Sequence, residues 1–351
     1  MKVLVIGGSR SHDESGFDPW LQLQVRSLRR LGLTVDSFVI HRAERGKYAR
    51  AIPRLRALLA RAPYDVVHAH YGYAGIVAAA QSRCPSVVTF HGDDLLGTPD
   101  AYGRPTAWSR LWVQIHRRLA HHVAAVIAVS QEMAQVLDRV DVHVIPCGVD
   151  TELFVPRDRA AARAHLGWEP ARRFVFFAAN PAFPRKCFAV ARAAVDLLNR
   201  NRADPVELVC THSQPRAVVP YEQVPWYMAA ADALVVTAYW EGGPVVVKEA
   251  MACNLPIVSV DVGDVRQVIA DTAHCHIVER EPAAVAAALA RVLDPPRRTQ
   301  GRARAELVSL PRIAERLLAV YRAVVSPEAA VAVPQAAAKL AEAGRTTPSR
   351  S

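Results

Sequence analysis

The chain reads twice through one alternation, and that repetition limits its folds more than any other feature. Short apolar runs at 3–6, 35–40, 65–68, 86–90, 125–129 and 142–145 alternate with helical patterns at 19–31, 48–60, 74–81, 108–121 and 131–138. The pattern stops at Pro146-Cys147-Gly148-Val149-Asp150, and the broken stretch continues through Pro156 to Pro170. Strand runs then resume at 173–178, 207–210, 233–238, 256–260 and 276–279, with helices between and after them. Strands separated by helices predict βαβ units and parallel sheets buried on both faces. The expected architecture is α/β: two doubly wound, Rossmann-like domains facing a cleft, with ligands bound beyond the carboxyl ends of the strands. The division expected is 1–147 for the first domain and 148–310 for the second. A helix at 311–325 could return to the first domain. An Ala/Pro-rich stretch at 326–351, ending Arg-Thr-Thr-Pro-Ser-Arg-Ser, reads as a disordered tail.

Charge narrows the partners. A net charge of +10 favours nucleotide phosphates, anionic membrane surfaces or nucleic acid. No interleaving of aromatic and basic residues supports a nucleic-acid partner. Arg42, Arg45, Lys47, Arg50, Arg54, Arg56 and Arg61 crowd one segment in which Ile52, Leu55, Leu58 and Leu59 recur at helical spacing. Such a helix suits either an anionic bilayer or a sheet beneath it. The six cysteines are scattered without a CxxC pair, which points to a reducing compartment. Met1-Lys2 runs directly into the first strand, and no apolar run reaches the ~18 residues of a spanning helix. The expectation is a cytoplasmic protein, peripheral at most on the inner face of the membrane.

The densest chemistry lies in Glu241-Gly242-Gly243-Pro244-Val245, which follows a buried strand and opens a helix carrying Lys248 and Glu249. Proline suits a first helical turn, and the freed amides there can meet anions or hydroxyls. Were the stretch helical throughout, the two carboxylates would stand on the order of 10 Å apart, at 1.5 Å per residue. That span fits two ends of one extended ligand rather than an acid/base pair on one bond.

Glu241 and Glu249, with seven residues between them, resemble the E-x7-E motif of family-4 retaining glycosyltransferases. The flanking Ala-Ala-Asp232-Ala-Leu-Val-Val-Thr and Glu-Ala-Met-Ala-Cys-Asn-Leu-Pro256-Ile-Val-Ser resemble the same family, as does the linker Val144-Ile-Pro-Cys-Gly-Val-Asp150-Thr-Glu-Leu-Phe154. The likeness covers roughly residues 1–325. The segments around Lys248 and around Asp264 liken it to transferases of capsule, exopolysaccharide or teichuronic-acid assembly. The resemblance implies the GT-B fold and transfer of a sugar from a nucleotide-diphosphate donor to a saccharide or lipid-linked acceptor. It implies no cofactor and no catalytic metal. Glu249 would hold the donor ribose, and Glu241 would face the transferred sugar beside the amides of Gly242, Gly243 and Val245.

Phosphate contacts are expected from Asn180-Pro-Ala-Phe-Pro-Arg185-Lys186-Cys187. Fixed cations there would stabilise the departing diphosphate. The family places Arg where Asn180 stands and Gly where Cys187 stands, so either Arg185 supplies the second cation or the donor is held differently. His91, before Gly92 at a strand end, resembles the family histidine that contacts the donor sugar. Gly16, in Ser15-Gly16-Phe17, stands where the family has a glycine loop near the donor phosphates. Asp13, Glu14, His70 and Tyr71 are candidates for the acceptor side. The pairs His68/His70, His121/His122 and His274/His276 lack the spacing of a metal site. The alternatives are a GT-B epimerase or phosphorylase, and a non-catalytic nucleotide-sugar-binding subunit.

Overall fold

The computed structural model describes residues 1–9, 16–41, 46–98, 100, 103–200, 202–214 and 217–326. The first six strands are β1 (Lys2–Ser9), β2 (Thr34–His41), β3 (Val66–His70), β4 (Ser86–Phe90), β5 (Ala125–Ala128) and β6 (Val142–Val144). They form one parallel sheet in the order β2-β1-β3-β4-β5-β6. β3, β4 and β5 are buried along their whole length because helices cover both faces, which is why their sequences are mostly apolar, with His68, His70, Ser86 and Thr89 the buried polar residues of β3 and β4. β1 shows the period of two: Val3 and Val5 enter one core, Leu4 and Ile6 the other.

The second domain contributes β7 (Arg173–Phe177) and β8 (Val206–Cys210), then an antiparallel pair, β9 (His212–Gln214) and β10 (Ala217–Val218). β11 (Ala233–Val236), β12 (Ile257–Ser259) and β13 (Cys275–Ile277) complete a parallel five-stranded sheet ordered β13-β12-β11-β7-β8. The strand order reverses between β7 and β11. A crevice opens at such a reversal beyond the strand ends, and ligands of doubly wound sheets bind there.

The two sheets are joined where Val149 lies beside Ser309: Val149 N donates to Val308 O at 3.0 Å, and Leu310 N to Val149 O at 2.9 Å. The last helix, Leu310–Val325, then packs on the helix Pro19–Arg30 of the first domain. Its Tyr321 hydroxyl meets His68 Nδ1 at 2.6 Å.

The expected elements are all present, with ends shifted by a residue or a few. The basic helix spans Lys47–Arg61 and buries Ala51, Leu55 and Leu59 in the core beneath it, so its apolar stripe faces the sheet and its basic residues face outward. The exposed large apolar residues lie elsewhere, with Trp108 and Leu111 on the helix Ala107–Leu119. Arg42, Arg45, Asp13, Glu14, Ser15 and the tail from 327 onward lie outside the described residues. Among the described residues no helix is long and apolar enough to cross a membrane.

Candidate active site

The crevice between β7 and β11 is filled from both sides by charge. After β7, Asn180 does not face the opposing carboxylate. Its side-chain oxygen accepts from Ala182 N at 2.9 Å and its carbonyl from Phe183 N at 3.1 Å, a local turn closed on itself. The chain then makes a short 3₁₀ turn, Pro184–Lys186, and enters the helix Phe188–Asn199 through Cys187 at φ +51°. A left-handed conformation favours glycine, which accounts for the glycine of the family pattern here. This loop is sewn to the end of β11: Thr237 Oγ1 donates to the carbonyls of Lys186 and Cys187, and Tyr239 N to Arg185 O.

Both cations of the loop converge on one carboxylate. Lys186 Nζ reaches Glu241 Oε1 at 2.5 Å, and Arg185 Nη1 reaches Glu241 Oε2 at 2.6 Å. Arg185 also faces Asp93 of the first domain, at 3.4 Å. Burial would raise the Glu241 pKa, but Lys186 and Arg185 outweigh it and hold the carboxyl below its ordinary range. Glu241 is therefore ionised, 7% exposed, and the two cations remain about one-fifth exposed toward the cleft.

The turn after Glu241 admits no side chain at its first glycine. A Cβ on Gly242 would lie 1.8 Å from His91 O, and one on Gly243 would lie 3.3 Å from Val129 O. The domains thus meet backbone to backbone here. Pro244 caps the helix Val245–Ala252, so the first-turn amides beginning at Val245 open toward the crevice end. Within that helix Glu249 is buried and accepts from the Tyr221 hydroxyl at 2.6 Å. Burial pushes its pKa up to about 7 against the opposing pull of Tyr221 and Lys248. Glu241 and Glu249 therefore serve two separate clusters, as their spacing suggested.

His91 sits at the end of β4 with its ring turned inward. Its Nε2 lies 2.9 Å from Nδ1 of His70, so one of the two donates, and its Nδ1 lies 3.7 Å from Cys147 Sγ. His68 joins through ring packing on His70 at 4.3 Å, and Trp20 packs on His70, Tyr71 and His91. Burial lowers the pKa of His68 and of His91 to about 3, and that of His70 well below its usual value, so the three rings are neutral. His70 is 1% exposed and belongs to this internal chain. The turn that presents His91 is held by Asp94, which accepts from the amides of His91, Gly92 and Gly72. Gly16 is buried at φ +100°, and a Cβ there would touch Val39 at 3.0 Å. Among the described residues no group of three or more His, Cys, Asp or Glu is arranged to hold a metal ion.

Sequence reasoning gave no role to Trp20 or Cys147, placed Asp93 and Asp94 only in a polar run at the end of a strand, and assigned Tyr221 only to a stretch, 211–224, expected to meet the donor base. Asp93 and Asp94 follow His91 directly, and their place at a strand end was the available signal. Nothing local in the sequence marks Tyr221 as the partner of Glu249, because that contact joins a loop to a helix 28 residues away.

Comparisons with known proteins agree with this geometry. A family model described as Glycosyltransferase Family 4 matches residues 3–153, and one described as Glycosyl transferases group 1 matches residues 217–306. TuaC of Bacillus subtilis, named for teichuronic acid biosynthesis, is 28% identical over 243 residues, covering 65% of this chain and 61% of that protein. A D-inositol 3-phosphate glycosyltransferase of Frankia alni is 30% identical over 272 residues, covering 66% of each. The chain thus spans less than two thirds of the length of these curated relatives. Sucrose-phosphate synthase from Thermosynechococcus elongatus superposes with a TM-score of 0.76 at 19% identity, over 93% of this chain and 99% of that one. Anabaena HepE, solved with UDP-glucose, gives 0.63 at 17% identity, over 94% and 100%. The chain thus joins a segment matching the Glycosyltransferase Family 4 model to a segment matching the Glycosyl transferases group 1 model, within a GT-B fold.

Proposed function

We propose that this protein is a retaining, metal-independent glycosyltransferase that moves a sugar from a nucleotide-diphosphate donor to a saccharide or lipid-linked acceptor in cell-surface polysaccharide assembly. The observation that carries the reading is the convergence of Arg185 and Lys186 on Glu241 at the strand-order reversal. Glu241 serves as their counter-ion. A bound diphosphate would share those cations, and their charge matters most as the sugar–phosphate bond breaks. Lys186→Ala therefore lowers turnover more than Glu249→Ala does. The buried Glu249, beside Tyr221, suits the ribose hydroxyls, since a carboxylate accepts two hydrogen bonds.

The chemistry is front-face substitution. The C1–O bond to phosphate breaks, the C1–O bond to the acceptor forms on the same face, and the acceptor proton passes to the departing phosphate. The polysaccharide context rests on the likeness to TuaC; the inositol-phosphate relatives bring a second acceptor class into the test.

A panel of UDP-, GDP- and ADP-sugars, each incubated with and without saccharide and inositol-phosphate acceptors, tests the reading. The expected result is acceptor-dependent release of nucleotide diphosphate and a product of unchanged anomeric configuration. Turnover to an epimer without acceptor, or phosphorolysis, overturns it in favour of another GT-B reaction. Binding of nucleotide without any turnover marks a non-catalytic binding subunit.

A further inference from the structure

Beneath the glycine turn lies a charged pair that the proposed chemistry does not use. Lys248 is fully buried in the middle of the helix Val245–Ala252, and its ammonium lies 2.7 Å from Oδ2 of Asp264, itself 3% exposed. Apart from that ion pair, neither the ammonium nor either carboxylate oxygen meets the geometry of a hydrogen bond among the described residues. The neighbours of Lys248 in its helix, Val247, Ala250 and Met251, are apolar core residues. An apolar side chain at 248 would serve that core equally well. A buried ion pair with so few other partners contributes little net stability, because desolvation offsets the attraction. Its position is more informative than its energy.

Asp264 belongs to the turn 261–264, which packs directly on the turn 241–243. A Cβ on Gly263, at φ +57°, would lie 2.8 Å from the carbonyl oxygens of both Glu241 and Gly242. A Cβ on Gly243 would lie 3.4 Å from the Asp264 carboxylate. The same turn reaches the first domain, since Gly263 N donates to Glu132 Oε2 at 3.1 Å. The pair therefore ties the helix that starts at Val245 to the turn that supports Gly242 and Gly243.

We propose that Lys248 and Asp264 are positioning residues, an internal clasp that sets the Glu241–Gly243 turn against the 261–264 turn and so fixes the seat on which His91 and Gly92 of the first domain close. Arg185 and Lys186 hold the start of the turn through Glu241, but Gly242 and Gly243 carry no side chains and Pro244 offers no amide to anchor its far end. A clasp made of charge holds one register because a shifted turn leaves both ions buried and unpaired.

The test separates geometry from stability by replacing the pair with apolar groups of similar size, K248M/D264L, beside the isosteric D264N. Three quantities are read on the full chain: Tm, amide hydrogen exchange at Val247, Gly263, Val265 and Val268, whose N–H groups are hydrogen-bonded in and beside the two turns, and the kcat and KM of donor turnover. Exchange at those four amides is expected to rise about tenfold in both variants while the strands β7, β11 and β12 keep their protection. Tm of the double variant is expected to stay at or above the parent's. The kcat arm rests on the transferase reading and is expected to fall about a hundredfold with KM for the donor nearly unchanged. K248R, which keeps the charge, should restore part of both readouts. Unchanged exchange at the four amides in both variants overturns the clasp, as does a double variant with parental kcat. If the parent turns over no donor, the transferase reading fails, while exchange still decides the clasp. If the double variant does not fold, D264N decides it.

Discussion

Glu249 shows how burial sets the working range of a single group. Its pKa stands near 7 because the helix closes over it, with only the Tyr221 hydroxyl and the Lys248 charge opposing that burial. The ribose hydroxyls proposed as its partners donate best to the ionised form, so nucleotide affinity should rise as pH climbs toward 7 and level off above it. The largest slope is about tenfold per pH unit, the limit for a single proton. Calorimetric titrations of the parent and Glu249→Gln from pH 5.5 to 8 check this, the Gln variant cancelling ionisation of the nucleotide itself. The linkage sign runs the other way for stability. A carboxyl raised in the folded state loses stability as pH climbs from its unfolded value through 7, so Glu249→Gln should flatten that decline. Arg185 belongs to the same scale. It reaches Glu241 and Asp93 while Asn180 is engaged in its own turn, so Arg185 is the candidate for the second cation of the proposed phosphate site. Arg185→Ala should cost ~2.7–4 kcal/mol in turnover, the usual loss for one transition-state partner. Near-neutral turnover in that variant, together with inactive Asn180→Arg, would return phosphate binding to backbone amides. Glu241, Arg185 and Lys186 were legible in the sequence because they follow strand ends, and Glu249 because it lies in the helix that the Glu241 motif opens. His91 was legible only by position. Its ring faces His70 and Cys147, contacts made across the fold that no local pattern encodes.

At the scale of elements, the helices Lys47–Arg61 and Ala107–Leu119 of the first domain, which flank Gly72–Ala79, carry basic residues and no acidic ones. The intervening helix Gly72–Ala79 joins them through Tyr73, which packs on Tyr48 at 5.2 Å and on Trp112 at 4.7 Å. Trp112 in turn meets Trp108, which is 67% exposed beside Leu111 at 50%. An aromatic row flanked by arginines is the composition that anchors helices at an anionic bilayer surface. Vesicles of anionic and neutral lipid should therefore differ, the protein co-sedimenting with the anionic ones. Trp108→Ala with Leu111→Ala should weaken that binding by about tenfold, while high salt should release the protein. Equal recovery with neutral vesicles, or none with either, would leave the face to another partner. The periodicity of Lys47–Arg61 did not reveal which way its apolar stripe pointed. Leu55 and Leu59 serve a sheet as well as a membrane, and only the presence of β2 and β3 beneath them decides it. Strand and helix positions were otherwise readable, because parallel strands buried on both faces are mostly apolar runs. The antiparallel pair β9–β10 was not, being too short to show a period.

The whole molecule is two sheets whose strand-order reversals open toward one another, and the chain passes between them twice. The outgoing passage runs by Val149 and the returning one by Ser309, and the two are hydrogen-bonded side by side at 2.9 and 3.0 Å. Two passages at separate places would have left the domains free to slide or would have locked them. Laced together they make one pintle, about which any relative motion of the two sheets would have to turn, as a door does. The tip of that swing is the contact of Gly242 with His91, far from the pintle in the sequence and without side chains to jam it. The helix Leu310–Val325, bound to the first domain through Tyr321, then belongs mechanically to the frame and not to the door. Each closure would accordingly return the Glu241–Gly243 turn to the same place against His91 and Gly92 of the first domain.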